Sequence, residues 1–281
     1  MRVRFTKMHG IGNDYVYVDA FSQRLPDPAA TARRVSPRRT AVGSDGLILI
    51  APSDAADVRM EMYNADGSRG SMCGNGIRCV AKYAWDHGLS RRNPMRIETD
   101  AGVKTVALEL SGDRVSSVTV DMGPPILDPD RVPIASGSRM VDAPFTIDGR
   151  DLRVTCVSMG NPHCVIFVDS TADAPVGTLG PKIEVHPLFP QRVNVEFVEL
   201  LASAPAERLR MRVWERGSGE TAACGTGACA VAVAAALTGR GRRSVEVELL
   251  GGNLQIEWRE SDDHVFMTGG ATEVFTGVID A

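Results

Sequence analysis

The sequence has no surplus of basic charge: 31 Lys and Arg stand against 35 Asp and Glu, for a formal net charge of −4. Nothing in that balance favours nucleic acid or an anionic membrane as a partner, and a small-molecule ligand fits better. No apolar run reaches the roughly 20 residues that a bilayer-crossing helix needs. The opening MRVRFTKMH alternates, and it lacks the apolar core and small-residue cleavage site of a signal peptide. A soluble, cytoplasmic protein is the expectation. No G-x-G-x-x-G run follows a strand with a suitable acidic partner, and no Walker motif is present. Lysine is scarce. The four of them (Lys7, Lys82, Lys104 and Lys182) lie in no distinctive motif, though sequence alone leaves a pyridoxal lysine open. The six cysteines lack the short Cys-x-x-Cys knuckle spacing of a zinc site, and a reducing compartment argues against a disulfide framework. Core packing and catalysis remain for them.

What is present reads mostly as short strands. VRFTKM, DYVYVDA, GLILIA, VRMEMY, MRIETD, VKTVALEL and VSSVTVDM alternate or are β-branched, and they all fall before residue 123. LRVTCVS, CVIFVD, VNVEFVEL, LRMRVWE, SVEVELL, LQIEW, HVFMTG and TEVFTGVI repeat this character in the second half. Two stretches alone read as long buried helices, residues 74–87 and 225–238. A chain of 281 residues suits two domains, and the proline-rich segment 123–139 is the candidate crossover between them.

Cys73 and Cys224 lie 151 residues apart, and at that offset residues 59–88 align with 210–239 without a gap. The matches include Arg59/Arg210, Met60/Met211, Gly74/Gly225, Gly76/Gly227 and Gly88/Gly239. Both copies read strand, Gly-rich turn, helix, with Cys-Gly-x-Gly at the junction, which points to duplication. Two such halves packed together would set both sulfurs across one ligand cleft. A thiol at a helix start lies near unpaired N–H groups and the positive end of the helix dipole. Such cysteines can have pKa values lowered from about 8.5 to roughly 3.5–7.5, so each post favours thiolate and offers a usable base near neutral pH. One thiolate and one thiol on opposite faces of a carbon are what stereochemical inversion by proton transfer requires. A carboxylate seated at the helix starts would take up charge as the α-proton leaves, and the same amides would stabilise it. For Cys79, Cys156, Cys164 and Cys229 core packing is explanation enough. His163, in GNPH, reads either as a strand-end residue or as a neighbour that tunes a thiol. Glu215 and Arg216 read as a surface pair, except that Glu215 precedes Cys224 by nine residues just as Asn64 precedes Cys73.

KMHGIGNDY (7–15), VGSDGLILI (42–50), YNADGSRGSMCGNGIRC (63–79), SMGNPHCVIFV (158–168), RVNVEFV (192–198) and VWERGSGETAACGTGACA (213–230) together closely resemble diaminopimelate epimerase, nearly end to end. The resemblance implies an α/β (α+β) fold of two pseudo-symmetric domains, each a curved mixed β-sheet wrapped round a central helix, with the active site in the cleft between them. It places the last strand back in the first domain, giving 1–122 plus 270–281 around Cys73 and 123–269 around Cys224. It implies an isomerase that interconverts LL- and meso-2,6-diaminoheptanedioate without pyridoxal phosphate or any other cofactor, and without metal. Cys73 would be the proton donor and Cys224 the acceptor in the LL-to-meso direction, with His163 and Glu215 modulating the thiols. Asn13, Asn64, Gly74, Asn75, Asn161, Asn194, Glu215, Arg216, Gly225 and Thr226 would contact substrate. Some members carry a substrate-contacting glutamine where this chain has Gly46. An isologous homodimer is compatible with such an enzyme. The rivals are a proline or hydroxyproline racemase, which usually has His where this chain has Asn75, and a binding protein that has lost the chemistry.

Overall fold

The computed structural model describes residues 2–280, which divide into two compact units, Met1–Asp121 with Thr268–Ala281, and Met122–Met267. In chain order the first unit has β1 (Arg2–Gly10), β2 (Asn13–Asp19), α1 (Pro28–Val35), β3 (Gly46–Ala51), β4 (Val58–Asn64), β5 (Arg69–Gly70), α2 (Gly74–Asp86), β6 (Met95–Thr99), β7 (Gly102–Ser111) and β8 (Arg114–Asp121). The second unit follows with β9 (Ala143–Ile147), β10 (Arg150–Ser158), β11 (Pro162–Phe167), α3 (Val176–Glu184), β12 (Asn194–Leu200), β13 (Ala206–Glu215), β14 (Gly219–Thr221), α4 (Gly225–Leu237), β15 (Gly241–Leu249) and β16 (Gly252–Trp258). Strand β17 (Val265–Gly269) runs through the boundary, and β18 (Thr272–Asp280) belongs to the first unit.

The two units share one strand plan. In the first, β1 pairs antiparallel with β2, β2 runs parallel to β3, β3 is antiparallel to β4, and β4 is antiparallel to the short β5 and parallel to β6, which turns back into β7. In the second, β10, β11, β12, β13, β14, β15 and β16 repeat those pairings in the same order and sense. Even the outer edges correspond, because β18 flanks β1 and β9 flanks β10, both antiparallel. The parallel pairs require crossovers. The β2–β3 crossover carries α1 and the β4–β6 crossover carries α2, and α3 and α4 hold the same places in the second unit.

Each long helix is the centre of its unit. Helix α2 packs on β1, β2, β3, β4, β6, β7 and β8, and α4 packs on β10, β11, β12, β15 and β16, so each sheet curls round its helix. The sequence of α4, GTGACAVAVAAAL, follows from that position, with small apolar residues on every side and Ala228 through Ala235 all buried. The two short helices had no clear signal. Helix α1 opens on Pro28 with Asp27 capping the Ala30 N–H at 2.9 Å, a helix start built from polar residues. Helix α3 has no side-chain cap and carries Pro181 inside it. Close packing holds it in place: a Cβ on Gly180 would lie 2.6 Å from Trp214 Cβ.

Candidate active site

Both cysteines are N-caps. Cys73 precedes α2 and Cys224 precedes α4, each in extended conformation where its strand-side loop enters the helix. Strands β4 and β13 end on Asn64 and Glu215, nine residues before each sulfur, so these two side chains hold equivalent posts. Gly74 and Gly225 open the helices, with Asn75 and Thr226 next.

In the first unit the thiol has neutral neighbours. Cys73 is part-exposed; its S–H donates to Asn13 Oδ1 at 3.2 Å and its sulfur accepts from the Gly76 N–H at 3.3 Å. Asn13 Nδ2 donates to Asp45 at 2.7 Å, and this contact aims the amide oxygen at the sulfur. Asp45 is in turn held by Arg38 at 2.7 Å. Burial and the nearby Cys73 push the Tyr15 hydroxyl well above its usual pKa, so Tyr15 is a neutral neighbour too. Asn75 is buried, and its Oδ1 has no partner among the described residues. Asn64 reaches Ser68 Oγ at 2.9 Å. A Cβ at Gly46 would stand 2.1 Å from the Tyr63 carbonyl oxygen, so this backbone has no room for a side chain there.

In the second unit the thiol is buried among ionisable groups. His163 is fully buried, with Nδ1 2.6 Å from Glu196 Oε1 and Nε2 3.1 Å from Asn161 Oδ1. The ring nitrogen, the Glu196 carboxylate and Cys224 Sγ all lie within 4.8 Å of one another. The Glu215 carboxylate accepts from the Thr221 hydroxyl. Burial, then Glu215 and Glu196, push the Cys224 thiol well above its ordinary pKa, with the Thr226 hydroxyl 3.6 Å away working against them. At Cys224 desolvation and two carboxylates oppose the helix end, which by itself favours thiolate. Burial likewise raises the pKa of Glu215.

Asn194 is occupied within the unit. Its Oδ1 accepts from the Arg216 N–H at 2.9 Å and its Nδ2 donates to the Pro162 carbonyl at 2.9 Å. Arg216 is exposed, with Nη1 donating to the Gln191 carbonyl at 2.9 Å, so most of its five donors face outward.

The sequence reading passed over three residues. Glu196 sits in VNVEFVEL, where alternation assigns it to a solvated face. Glu184, at the end of α3, receives the Trp214 indole N–H at 2.7 Å and the Gly217 N–H at 3.0 Å, and so fixes the turn that carries Arg216. Asp45 orients Asn13 from a loop whose only signal was its place in VGSDG.

Among solved structures, the chain is similar over its whole length to a Bacillus anthracis phenazine biosynthesis protein of the PhzF family, with a TM-score of 0.72 and 16% identity, both chains being fully covered. It is also similar to a hydroxyproline epimerase from Agrobacterium vitis, with a TM-score of 0.67 and 17% identity over 99% of this chain and 91% of that one. Those likenesses show the fold class: an α/β fold of two units, each a sheet wrapped round a central helix. At the level of sequence, the diaminopimelate epimerase model matches residues 5–127 and 155–274. The diaminopimelate epimerases of Moorella thermoacetica and Acetivibrio thermocellus are 54% and 52% identical, over 98% and 99% of both chains respectively. That of Methanococcus maripaludis is 50% identical over 99% of this chain and all of its own. The chain belongs to the diaminopimelate epimerase family, and it is an isomerase.

Proposed function

We propose that the protein interconverts LL- and meso-2,6-diaminoheptanedioate, a step toward lysine and peptidoglycan precursors, by moving a proton between its α-carbon and two thiols, with no cofactor. The observation that carries this reading is the occurrence of Cys73 and Cys224 as N-caps of the central helix at the same post of two identically wired units. In the LL-to-meso direction Cys224 is the acceptor and Cys73 the donor. The surroundings support that division. A thiol whose proton affinity is raised by burial and carboxylates gives, once ionised, the stronger base, as abstraction from carbon demands. Cys73 already directs its S–H toward a hydrogen-bond acceptor.

The remaining residues divide the substrate's polar groups. The backbone N–H groups at Gly74 and Asn75, and at Gly225 and Thr226, are helix-start donors suited to the reacting carboxylate, where charge develops as the proton leaves. Arg216 has the planar donor set for the distal carboxylate. Asn75 Oδ1, buried and unpartnered, and the amides of Asn13, Asn64 and Asn161 offer neutral acceptors to an ammonium group. Asn194 acts by holding the backbone of Arg216. His163 and Glu215 modulate Cys224.

No helix among the described residues is long and apolar enough to cross a membrane. A cytoplasmic site of action and a homodimer complete the reading, and sedimentation velocity reads the latter directly. The central test is proton NMR of the LL isomer in deuterated buffer with reduced protein and no added cofactor. Wild type is expected to exchange the α-proton and form the meso isomer, whereas Cys73→Ala and Cys224→Ala each lose at least ~10³-fold in epimerisation. Racemisation of proline with inertness toward this substrate would keep the two-thiol mechanism and discard the substrate.

A further inference from the structure

Glu196 is a buried carboxylate that enters the mechanism above only through its charge near Cys224, with no role given to its contact with His163. It lies on β12, where Asn194 through Val198 are all buried, so the strand is covered on both faces and the side chain has no route to solvent. An isolated ionised carboxylate in such a place costs several kcal/mol, and breaking its pairing is correspondingly damaging. Its Oε1 meets His163 Nδ1 at 2.6 Å, and its Oε2 has no partner among the described residues.

The first unit shows that the fold does not require this group. Gly46 pairs with Asn64 across β3 and β4. In the second unit Val195 pairs with Trp214, which brings Asn194 opposite Glu215. Two residues further along, Ile48 answers to Glu196. The crowding agrees: a Cβ on Gly76, three residues after Cys73, would lie 2.8 Å from Ile48 Cδ1, and one on Gly227, three after Cys224, would lie 2.9 Å from Glu196 Oε1. Tyr15 answers to His163 in the same way, each standing opposite the strand before it, at Met8 and Val157. One duplicated position thus holds a core isoleucine beside one thiol and a carboxyl side chain beside the other.

We infer that Glu196 is a positioning residue for the reaction: its carboxylate locks the His163 ring beside Cys224, in a cluster of thiol, imidazole and carboxylate for which the first unit has Cys73, Tyr15 and Ile48. Asn161 holds the second ring nitrogen, so the imidazole is clamped at both ends and cannot turn away as the sulfur cycles between S–H and S⁻. Glu215 also lies against the thiol, where its carboxylate accepts from Thr221 and from Cys224, and it leaves the ring to Glu196. Helix α4 closes the arrangement, since any side chain at Gly227 would also press on Cys224 Sγ at 3.2 Å.

This inference rests on Cys224 being a reacting thiol, and the experiment separates the two. Epimerisation kinetics of Glu196→Gln, Glu196→Asp and Glu196→Ile are measured alongside the pH dependence of iodoacetamide alkylation at each thiol, read by mass spectrometry. Glu196→Gln is expected to lower kcat about 10²-fold with KM within about threefold. It should displace the alkylation profile of Cys224 and leave that of Cys73 in place, and Glu196→Asp should restore part of the rate. Glu196→Ile, which copies the first unit, should still fold cooperatively and lose the activity. Wild-type kcat with an unmoved Cys224 profile in Glu196→Gln overturns the inference. So does equal displacement of both thiols, or failure of both Gln and Ile variants to fold, because the carboxylate would then serve the fold alone. Retention of epimerase activity by Cys224→Ala would instead remove the two-thiol reading itself.

Discussion

The two units have the same wiring and opposite chemistry at their thiols. In the first, Cys73 is part-exposed and is met by an amide, a backbone N–H and the neutral Tyr15, with Ile48 filling the space beneath the helix start. In the second, Cys224 is buried, and the places of Tyr15 and Ile48 are taken by His163 and Glu196. At Cys224 burial, then Glu215 and Glu196, push the thiol's pKa up, and Glu196 stands where the first unit has Ile48.

The sharpest way to break the comparison is to exchange the strand residues. Ile48→Glu puts the carboxylate of the second unit into a fully buried site of the first that has Tyr15 where the second unit has His163. The uncompensated charge is expected to destabilise the protein by roughly 3–5 kcal/mol, the range for a buried ion without its partner. Urea unfolding at neutral pH measures it. A loss below about 1 kcal/mol would mean that water or a nearby donor reaches the site, and that the two environments differ less than their side chains suggest.

Much of this was legible beforehand, for reasons that vary by element. Strands such as Val58–Asn64 and Arg114–Asp121 have one covered face, and alternation exposes that directly. The long helices were visible because each is buried on nearly all sides and each follows Cys-Gly-x-Gly. The short strands at Arg69–Gly70 and Gly219–Thr221 are too brief to show a period, and β9 begins Ala-Pro, which reads as a turn. The cysteines were found because the motif occurs twice. Glu196 was hidden for a physical reason: alternation assigns polar residues to solvent, and the rule fails on a strand covered on both faces. No sequence pattern distinguishes Glu196 from the partly buried Glu199 on the same strand.

A second exchange tests the helix starts, with a smaller effect. At Gly76 an added methyl group meets the ends of Ile48 and Met60, at 2.8 and 3.1 Å, and both are flexible and apolar. At Gly227 it meets Glu196 Oε1 and Cys224 Sγ, at 2.9 and 3.2 Å, which are groups whose positions matter. Gly227→Ala is expected to lower kcat by up to about 10²-fold, the scale on which small misplacements act, and Gly76→Ala by only a fewfold. Equal losses would show that both helix starts need glycine for the substrate's approach, and that the difference between the thiol surroundings has no kinetic weight.

The smallest effect concerns Glu215, whose counterpart in the first unit is the neutral Asn64. Burial raises the pKa of Glu215 above its ordinary value of 4.5, so the folded state prefers the protonated acid. The sign follows by linkage: what the protonated group contributes to stability is fully present below pH 4.5 and is lost as the pH rises through the raised folded value. Glu215→Gln is neutral at every pH and can still accept from Thr221, so it should match wild type in acid and melt about 1–3 °C higher at pH 7. Its epimerase activity should fall at the same time. A thermal gain that persists unchanged below pH 4 would assign the effect to packing and leave Glu215 ionised at no cost. A gain confined to neutral pH, coupled to lost turnover, would mean that the second unit gives up stability for a charge beside its thiol, in a position where the first unit keeps an amide.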